Sequence, residues 1–160
     1  MVGGDFKLSQ VEGPQLAALA RELFREYAQA IGTDLEYQGF SRELASLPAP
    51  YEPPAGALLI AHSAGDVAGC AALRPLDAHA AEMKRLYVRA EYRGSGIGRA
   101  LVEAIIRAAQ AAGYRELRLD TLPAMESAQS LYRQLGFVEI KPYSETYLAG
   151  TRFYSLQLAG

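Results

Sequence analysis

The sequence predicts an α/β protein of the α+β kind, a single mixed sheet with helices on both faces. Three features lead there. Strand pairs with tight turns fill much of the first half, helices alternate with strands in the second, and a loop with three glycines joins a strand to a helix. The 160 residues amount to about one domain, so 1–160 is expected to fold as one.

The elements follow in order. Residues 6–11 read as a short strand. Residues 14–31 read as a helix: Pro14 suits a first turn, Leu16, Leu19, Ala20, Leu23, Phe24 and Tyr27 recur at helical spacing, and Gly32 ends the run. A shorter helix is expected over 41–47, with Ser41 as its N-cap. Residues 48–56 carry four of the eight prolines and form a stiff loop. ALLIAH (57–62), the turn SAGD (63–66) and VAGCAALRPL (67–76) make a hairpin. EMKRLYV (82–88) is the next strand. A helix over 97–112 places Ile97, Leu101, Ile105, Ala108 and Ala112 on one face, with Gly113 as its cap. ELRLDT (116–121) is a strand, 124–135 a helix capped by Gly136, and 137–140 and 151–158 the last strands. A strand, helix and strand across 82–121 imply a right-handed parallel crossover.

Composition excludes several functions. Half the residues are hydrophobic and 21% are charged, which excludes a disordered chain. A net charge of -2 gives no bulk attraction to nucleic acid or to an anionic membrane. No apolar run approaches the roughly 20 residues of a membrane span, and MVGGDFKLSQ lacks the apolar core of a signal peptide. A soluble cytoplasmic protein is expected, with no membrane or nucleic-acid partner. Cys70, the single cysteine, lies in an apolar stretch and reads as a core thiol. His62 and His79 are far apart and lack cysteine neighbours, so no metal site is expected.

The chemistry concentrates at Tyr92-Arg93-Gly94-Ser95-Gly96-Ile97-Gly98-Arg99. Amides at a helix start have no partner, and the helix dipole adds positive potential, so a glycine loop there favours phosphate. The nucleotide-binding P-loop needs a lysine that this stretch lacks. The dinucleotide fingerprint needs glycine where Arg99 or Leu101 stands. Asp120 lies near the ribose-binding distance of that fingerprint, which keeps a dinucleotide-binding fragment as a minor alternative.

Read from Arg93 to Gly98, the loop resembles the Gln/Arg-x-x-Gly-x-Gly/Ala pyrophosphate loop of the Gcn5-related N-acetyltransferase (GNAT) superfamily. SAQSLYRQLGF (127–137) is similar to that superfamily's second signature at Ala128, Leu131, Tyr132, Gly136 and Phe137. The resemblance covers roughly 58–158 clearly. It implies the acyl-CoA N-acyltransferase fold, a mostly antiparallel sheet with a splayed parallel pair, and transfer of an acetyl group from acetyl-CoA to a primary amine by direct attack. The acceptor is a small-molecule or peptide amine, and a homodimer is common among relatives.

The resemblance also implies roles. Arg93, Gly94, Ser95, Gly96, Ile97, Gly98 and Arg99 hold the pyrophosphate. Leu86 and Val88 offer main-chain hydrogen bonds to pantetheine, and the Leu86 N–H stabilises the developing oxyanion. Tyr132 protonates the departing thiolate, unless it is simply a core tyrosine. Glu82, eleven residues before Arg93, deprotonates the amine. Alternatively it pairs with Lys84 or Arg85 at a strand end, and a water chain serves as base. Met125 stands where many members carry a pantetheine-binding asparagine. That departure is the one hint of a non-catalytic CoA-binding sensor or partner domain. Tyr27, Tyr37, Phe40, Tyr143, Tyr147 and Tyr154 are expected around the acceptor, and Asp34 and Glu36 are expected to favour a cationic amine.

Overall fold

The computed structural model describes residues 5–123 and 125–159. The expected start of a helix at residue 124 lies outside them, as do residues 1–4 and 160 of the expected domain. The elements are β1 (Phe6–Gln10), α1 (Gly13–Ile31), α2 (Phe40–Ser46), β2 (Ala57–Ser63), β3 (Asp66–Pro75), β4 (Ala80–Val88), α3 (Ile97–Ala111), β5 (Glu116–Thr121), α4 (Glu126–Gln134), β6 (Val138–Ile140) and β7 (Arg152–Gln157). Single 3₁₀ turns lie at Glu36–Gln38 and Ala90–Tyr92. Among the described residues no helix is long and apolar enough to cross a membrane.

One sheet runs β1-β2-β3-β4-β5-β7-β6. Every neighbouring pair is antiparallel except β4 and β5. That parallel pair holds register only at Ala80↔Glu116, Ala81↔Leu117 and Glu82↔Arg118. Beyond it, β4 continues to Val88 and β5 to Thr121 without pairing to each other, so a gap opens in the middle of the sheet.

Helices cover both faces because alternate strand residues point to opposite sides. On one face Leu101 and Ile105 of α3 join Ala71, Leu73, Met83, Leu117 and Leu119 in one core. On the other, Ala20, Leu23 and Phe24 of α1 join Leu58, Ile60, Cys70 and Ala72. Each fully buried leucine or phenylalanine contributes about 1.5–3 kcal/mol. Cys70 belongs to this second core: its thiol donates to the Arg85 carbonyl oxygen at 3.3 Å, and burial pushes its pKa up. It is packing, not a nucleophile.

Local signals hold with small corrections. Pro14 occupies the first turn of α1, and Gly32 ends it at φ 64°. Ala64 and Gly65 take φ 52° and 86°, the pattern of a type I′ turn. Ser41 is not the N-cap of α2. Gly39 holds that place, while Glu36 accepts from the Ser41 N–H at 2.6 Å and from its hydroxyl. A carboxylate on the preceding 3₁₀ turn thus satisfies the helix start more strongly than a serine hydroxyl would. Ala112 is the cap of α3, with Gly113 one residue beyond it at φ 90°.

The feature that positions the site is a bulge in β4. Cys70 pairs with Tyr87, but Ala72 pairs with Lys84, so β4 carries an extra residue between them. Arg85 absorbs it at φ 61°, an uncommon conformation for a side chain of that size. Gly69 of β3 passes so close that a Cβ there would strike the Tyr87 carbonyl oxygen.

Candidate active site

Three cavities meet where β4 and β5 part. The smallest, about 20 Å³, lies in the gap and is lined by Tyr27, Met83, Lys84, Arg85, Leu86, Asp120, Met125 and Tyr132. A groove of about 670 Å³ opens from it past Leu86, Val88, Arg93, Gly98, Met125, Ala128 and Leu131. A cavity of about 270 Å³ adjoins it at Lys84 and Asp120, walled by Tyr37, Gln38, Arg74, Glu82 and Tyr143.

The groove brings together Leu86, Val88, Arg93 and Gly98, four of the residues expected to hold the donor. Leu86 sits at the bulge without a register partner on β3. Gly96 caps α3 at φ 90°, Gly94 lies at φ 81°, and no side chain caps the helix. The first-turn amides of α3 are therefore available to an anion. Other expected residues contribute differently. Ile97 is buried in the α3 core, so only its backbone can face the groove. Arg99 reaches Gln134 at 3.1 Å and Glu103 at 3.8 Å. The Arg93 Nε–H donates to the Val88 carbonyl oxygen at 3.0 Å, and the Ser95 hydroxyl donates to that of Tyr92. Met125 lines both groove and gap, as its place in the motif implies.

Tyr132 is 3% exposed, its ring tilted against Phe137 and Tyr154 at centroid distances of 5.7 and 6.2 Å. Its hydroxyl makes no hydrogen bond among the described residues. Burial first, then Tyr27 and Asp120, raise its pKa, so it holds its proton at neutral pH. Tyr27 faces the same gap, and burial pushes its hydroxyl to about 12 against the opposing charge of Arg85.

Glu82 is tied down. Its Oε1 accepts from Arg74 at 2.8 Å and its Oε2 from the Tyr143 hydroxyl at 2.7 Å. Its cation is Arg74 on the neighbouring strand, neither Lys84 nor Arg85. It lines the 270 Å³ cavity but not the gap.

Asp120 lines both spaces and has no side-chain partner among the described residues. Burial raises its pKa, Lys84 opposes this and Glu82 adds to it. The Lys84 ammonium, also facing both spaces, donates among the described residues only to Gln38 Oε1, at 3.2 Å. Arg85 turns its guanidinium onto Glu43 at 2.6 and 2.9 Å and over the Phe40 and Tyr27 rings, 5.2 and 5.8 Å from their centroids.

The acceptor-side expectations divide. Tyr37 and Tyr143 do wall the 270 Å³ cavity. Tyr154 lies instead in the α3 core, its hydroxyl accepting from Arg133 at 3.3 Å, because alternation along β7 turns it to the opposite face from Phe153. Asp34 and Glu36 serve local turns: Asp34 accepts from the Glu36 N–H at 2.9 Å, and Glu36 holds Ser41.

A family model described as the Acetyltransferase (GNAT) family matches residues 17–137. The chain belongs to the GNAT acetyltransferase family. An uncharacterized N-acetyltransferase of Schizosaccharomyces pombe is 35% identical over 161 residues, covering 99% of both chains. An acetyltransferase of the GNAT family from Staphylococcus aureus superposes with a TM-score of 0.79 at 23% identity, over 97% of this chain and 100% of the other. A GNAT family acetyltransferase from Elizabethkingia anophelis, solved with acetyl-CoA bound, superposes with a TM-score of 0.61 at 20% identity, over 96% and 98%.

Sequence reasoning about this GNAT acetyltransferase missed Asp120 as a site residue, along with Lys84 and the Arg85–Glu43 pair. Asp120 and Lys84 carried a signal only as charged residues inside strands, and Glu82 and Arg85 share it. The pairing of Arg85 with Glu43, 42 residues away, carried none.

Proposed function

We propose that the protein transfers the acetyl group of acetyl-CoA to a primary amine by direct attack within a ternary complex. The observation that carries this reading is the continuity of the groove, the gap and the charged cavity through one break in the sheet. A donor lying in the groove and an acceptor in the cavity would meet beside Leu86 and Tyr132. The groove suits acetyl-CoA: uncapped amides at α3 match its pyrophosphate, and Val88, Ala128 and Leu131 match its apolar arm. Arg93 and the 94–98 backbone would hold it there. Acetyl-CoA is the donor substrate and brings an activated thioester.

The amine nitrogen forms a bond to the thioester carbonyl carbon, and the C–S bond then breaks. The Leu86 N–H, at the bulge and without a register partner on β3, would stabilise the oxygen on which charge develops. Tyr132 gives its proton to the leaving sulfur. The amine's own proton passes to Asp120, whose carboxylate faces the gap, in preference to Glu82, whose oxygens are both engaged. Glu82 holds Arg74 and Tyr143 in the acceptor wall.

The test is calorimetric titration with acetyl-CoA, followed by thiol release across a panel of primary amines. Binding with amine-dependent thiol release is expected. Binding without turnover on any amine would favour the CoA-binding sensor, and no binding would remove the groove from the reaction.

A further inference from the structure

The 270 Å³ cavity contains four charged side chains, and their pairing is uneven. Glu82 is matched by Arg74 at 2.8 Å. Lys84 and Asp120 are not matched: neither takes part in an ion pair among the described residues. Both line the cavity and both line the gap beside Tyr132. Carrying the register Glu82↔Arg118 forward by two residues sets Lys84 level with Asp120, on the sheet face that also bears Glu82. The strands have parted there, so a cation and a carboxylate stand on opposite sides of an opening without closing it.

Charges removed from water without a partner are costly, and such sites persist where a ligand completes them. Burial lowers the pKa of Lys84 and raises that of Asp120, so each charged form gains from an added counter-charge. The nearby charges act on them only at a distance and are themselves engaged: Arg85 is held by Glu43 and Glu82 by Arg74, so no direct ion pair closes on Lys84 or Asp120 among the described residues.

We propose that the acceptor is an amino-acid-like zwitterion, its amine drawn to Asp120 and its carboxylate to Lys84. This rests on the acetyltransferase function proposed above. Asp120 then sits at the nitrogen that becomes acetylated, beside Tyr132. Lys84, oriented by Gln38, selects for the carboxylate. Tyr37 and Tyr143 wall the space left for the acceptor's side chain. A simple amine would leave Lys84 unsatisfied, and a cationic polyamine would be repelled by it.

The experiment compares the proteinogenic L-amino acids that bear a primary amine with their decarboxylated amines, phenylalanine against phenethylamine for example. Binding to the full-length protein is read by calorimetry, and acetylation by thiol release from acetyl-CoA. At least one amino acid is expected to bind about tenfold or more tightly than its decarboxylated amine, with a matching advantage in kcat/KM. Lys84→Met should abolish that advantage by raising KM for the amino acid, and Lys84→Arg should restore part of it. If no amino acid outperforms its amine in binding or turnover, the proposal is overturned, while acetylation of simple amines would leave the acetyltransferase reading intact. Should acetyl-CoA fail to bind, that reading falls, and the binding comparison still decides the zwitterion site. Because the wild-type comparison is decisive alone, a misfolded Lys84 variant would not protect the proposal.

Discussion

Removing the Glu43 carboxylate should be among the most destabilising single changes in this chain. The Arg85 side chain is 2% exposed and that of Glu43 is 10%, and two hydrogen bonds of 2.6 and 2.9 Å join them. The Tyr51 hydroxyl donates to the same carboxylate at 2.7 Å from a residue that is 1% exposed. Glu43→Ala leaves a buried guanidinium without an anion, a loss of about 3–5 kcal/mol. It also leaves the Tyr51 hydroxyl without an acceptor, a further loss of about 1–3 kcal/mol. The sum, roughly 4–6 kcal/mol after allowing for relaxation, is comparable with the whole stability of a small domain, about 5–15 kcal/mol. Burial alone would raise the Glu43 pKa, but the Arg85 hydrogen bonds and charge outweigh it and hold it below the usual range. The pair's stabilisation is therefore complete above the unfolded carboxyl's pKa of about 4.3 and disappears as pH falls through the lower folded value. Equilibrium unfolding in urea at pH 7 measures the loss. Replacing both partners, Glu43→Leu with Arg85→Met, should recover much of it, because no lone charge stays buried. A Glu43→Ala loss below about 1 kcal/mol, with unchanged m-value, would refute the claim that Glu43 neutralises a buried Arg85 charge.

Four other outcomes are expected. Tyr132→Phe keeps the ring contacts with Phe137 and Tyr154, so fold and acetyl-CoA affinity should persist while turnover falls by about 10²–10⁴; unchanged turnover in a stopped assay would make Tyr132 a core residue. Gly98→Glu should weaken acetyl-CoA binding at least tenfold, about 1.4 kcal/mol, by calorimetry. The substitution should fold, because a Cβ there makes only an ordinary 3.7 Å contact with Val88, so equal affinity would take the loop out of the site. Asp120→Asn should lose most rate at neutral pH. The wild-type rate rises with pH through the raised Asp120 pKa, and in the variant only the acceptor amine's own ionisation should remain. Glu82→Gln should keep the wild-type pH profile, and the opposite pattern would return the base role to Glu82.

Much of the architecture was readable in the residues. Element order, the hairpin turn at 63–66, the Gly32 stop and the parallel crossover follow from periodicity and glycine placement, which act over a few neighbours. The two motifs, at 93–98 and 127–137, were enough to point to the family because each lies on one continuous segment. Ser41 was misplaced because its amide found a carboxylate five residues back. Tyr154 was misplaced because a strand's inward and outward faces exchange with one residue of register.

The sequence by itself determined a mixed sheet, its helices and the glycine loop that opens α3, since propensity, spacing and backbone freedom are local properties. Tertiary structure decided which charges face the chemistry. Glu82, Lys84, Arg85 and Asp120 look alike in the sequence, as charged residues within two strands. The bulge turns Arg85 onto Glu43, the neighbouring strand gives Arg74 to Glu82, and the parting of β4 from β5 leaves Lys84 and Asp120 beside the gap. Pairing is a matter of distances between segments far apart in the chain, so only the packed structure could sort the engaged charges from the available ones.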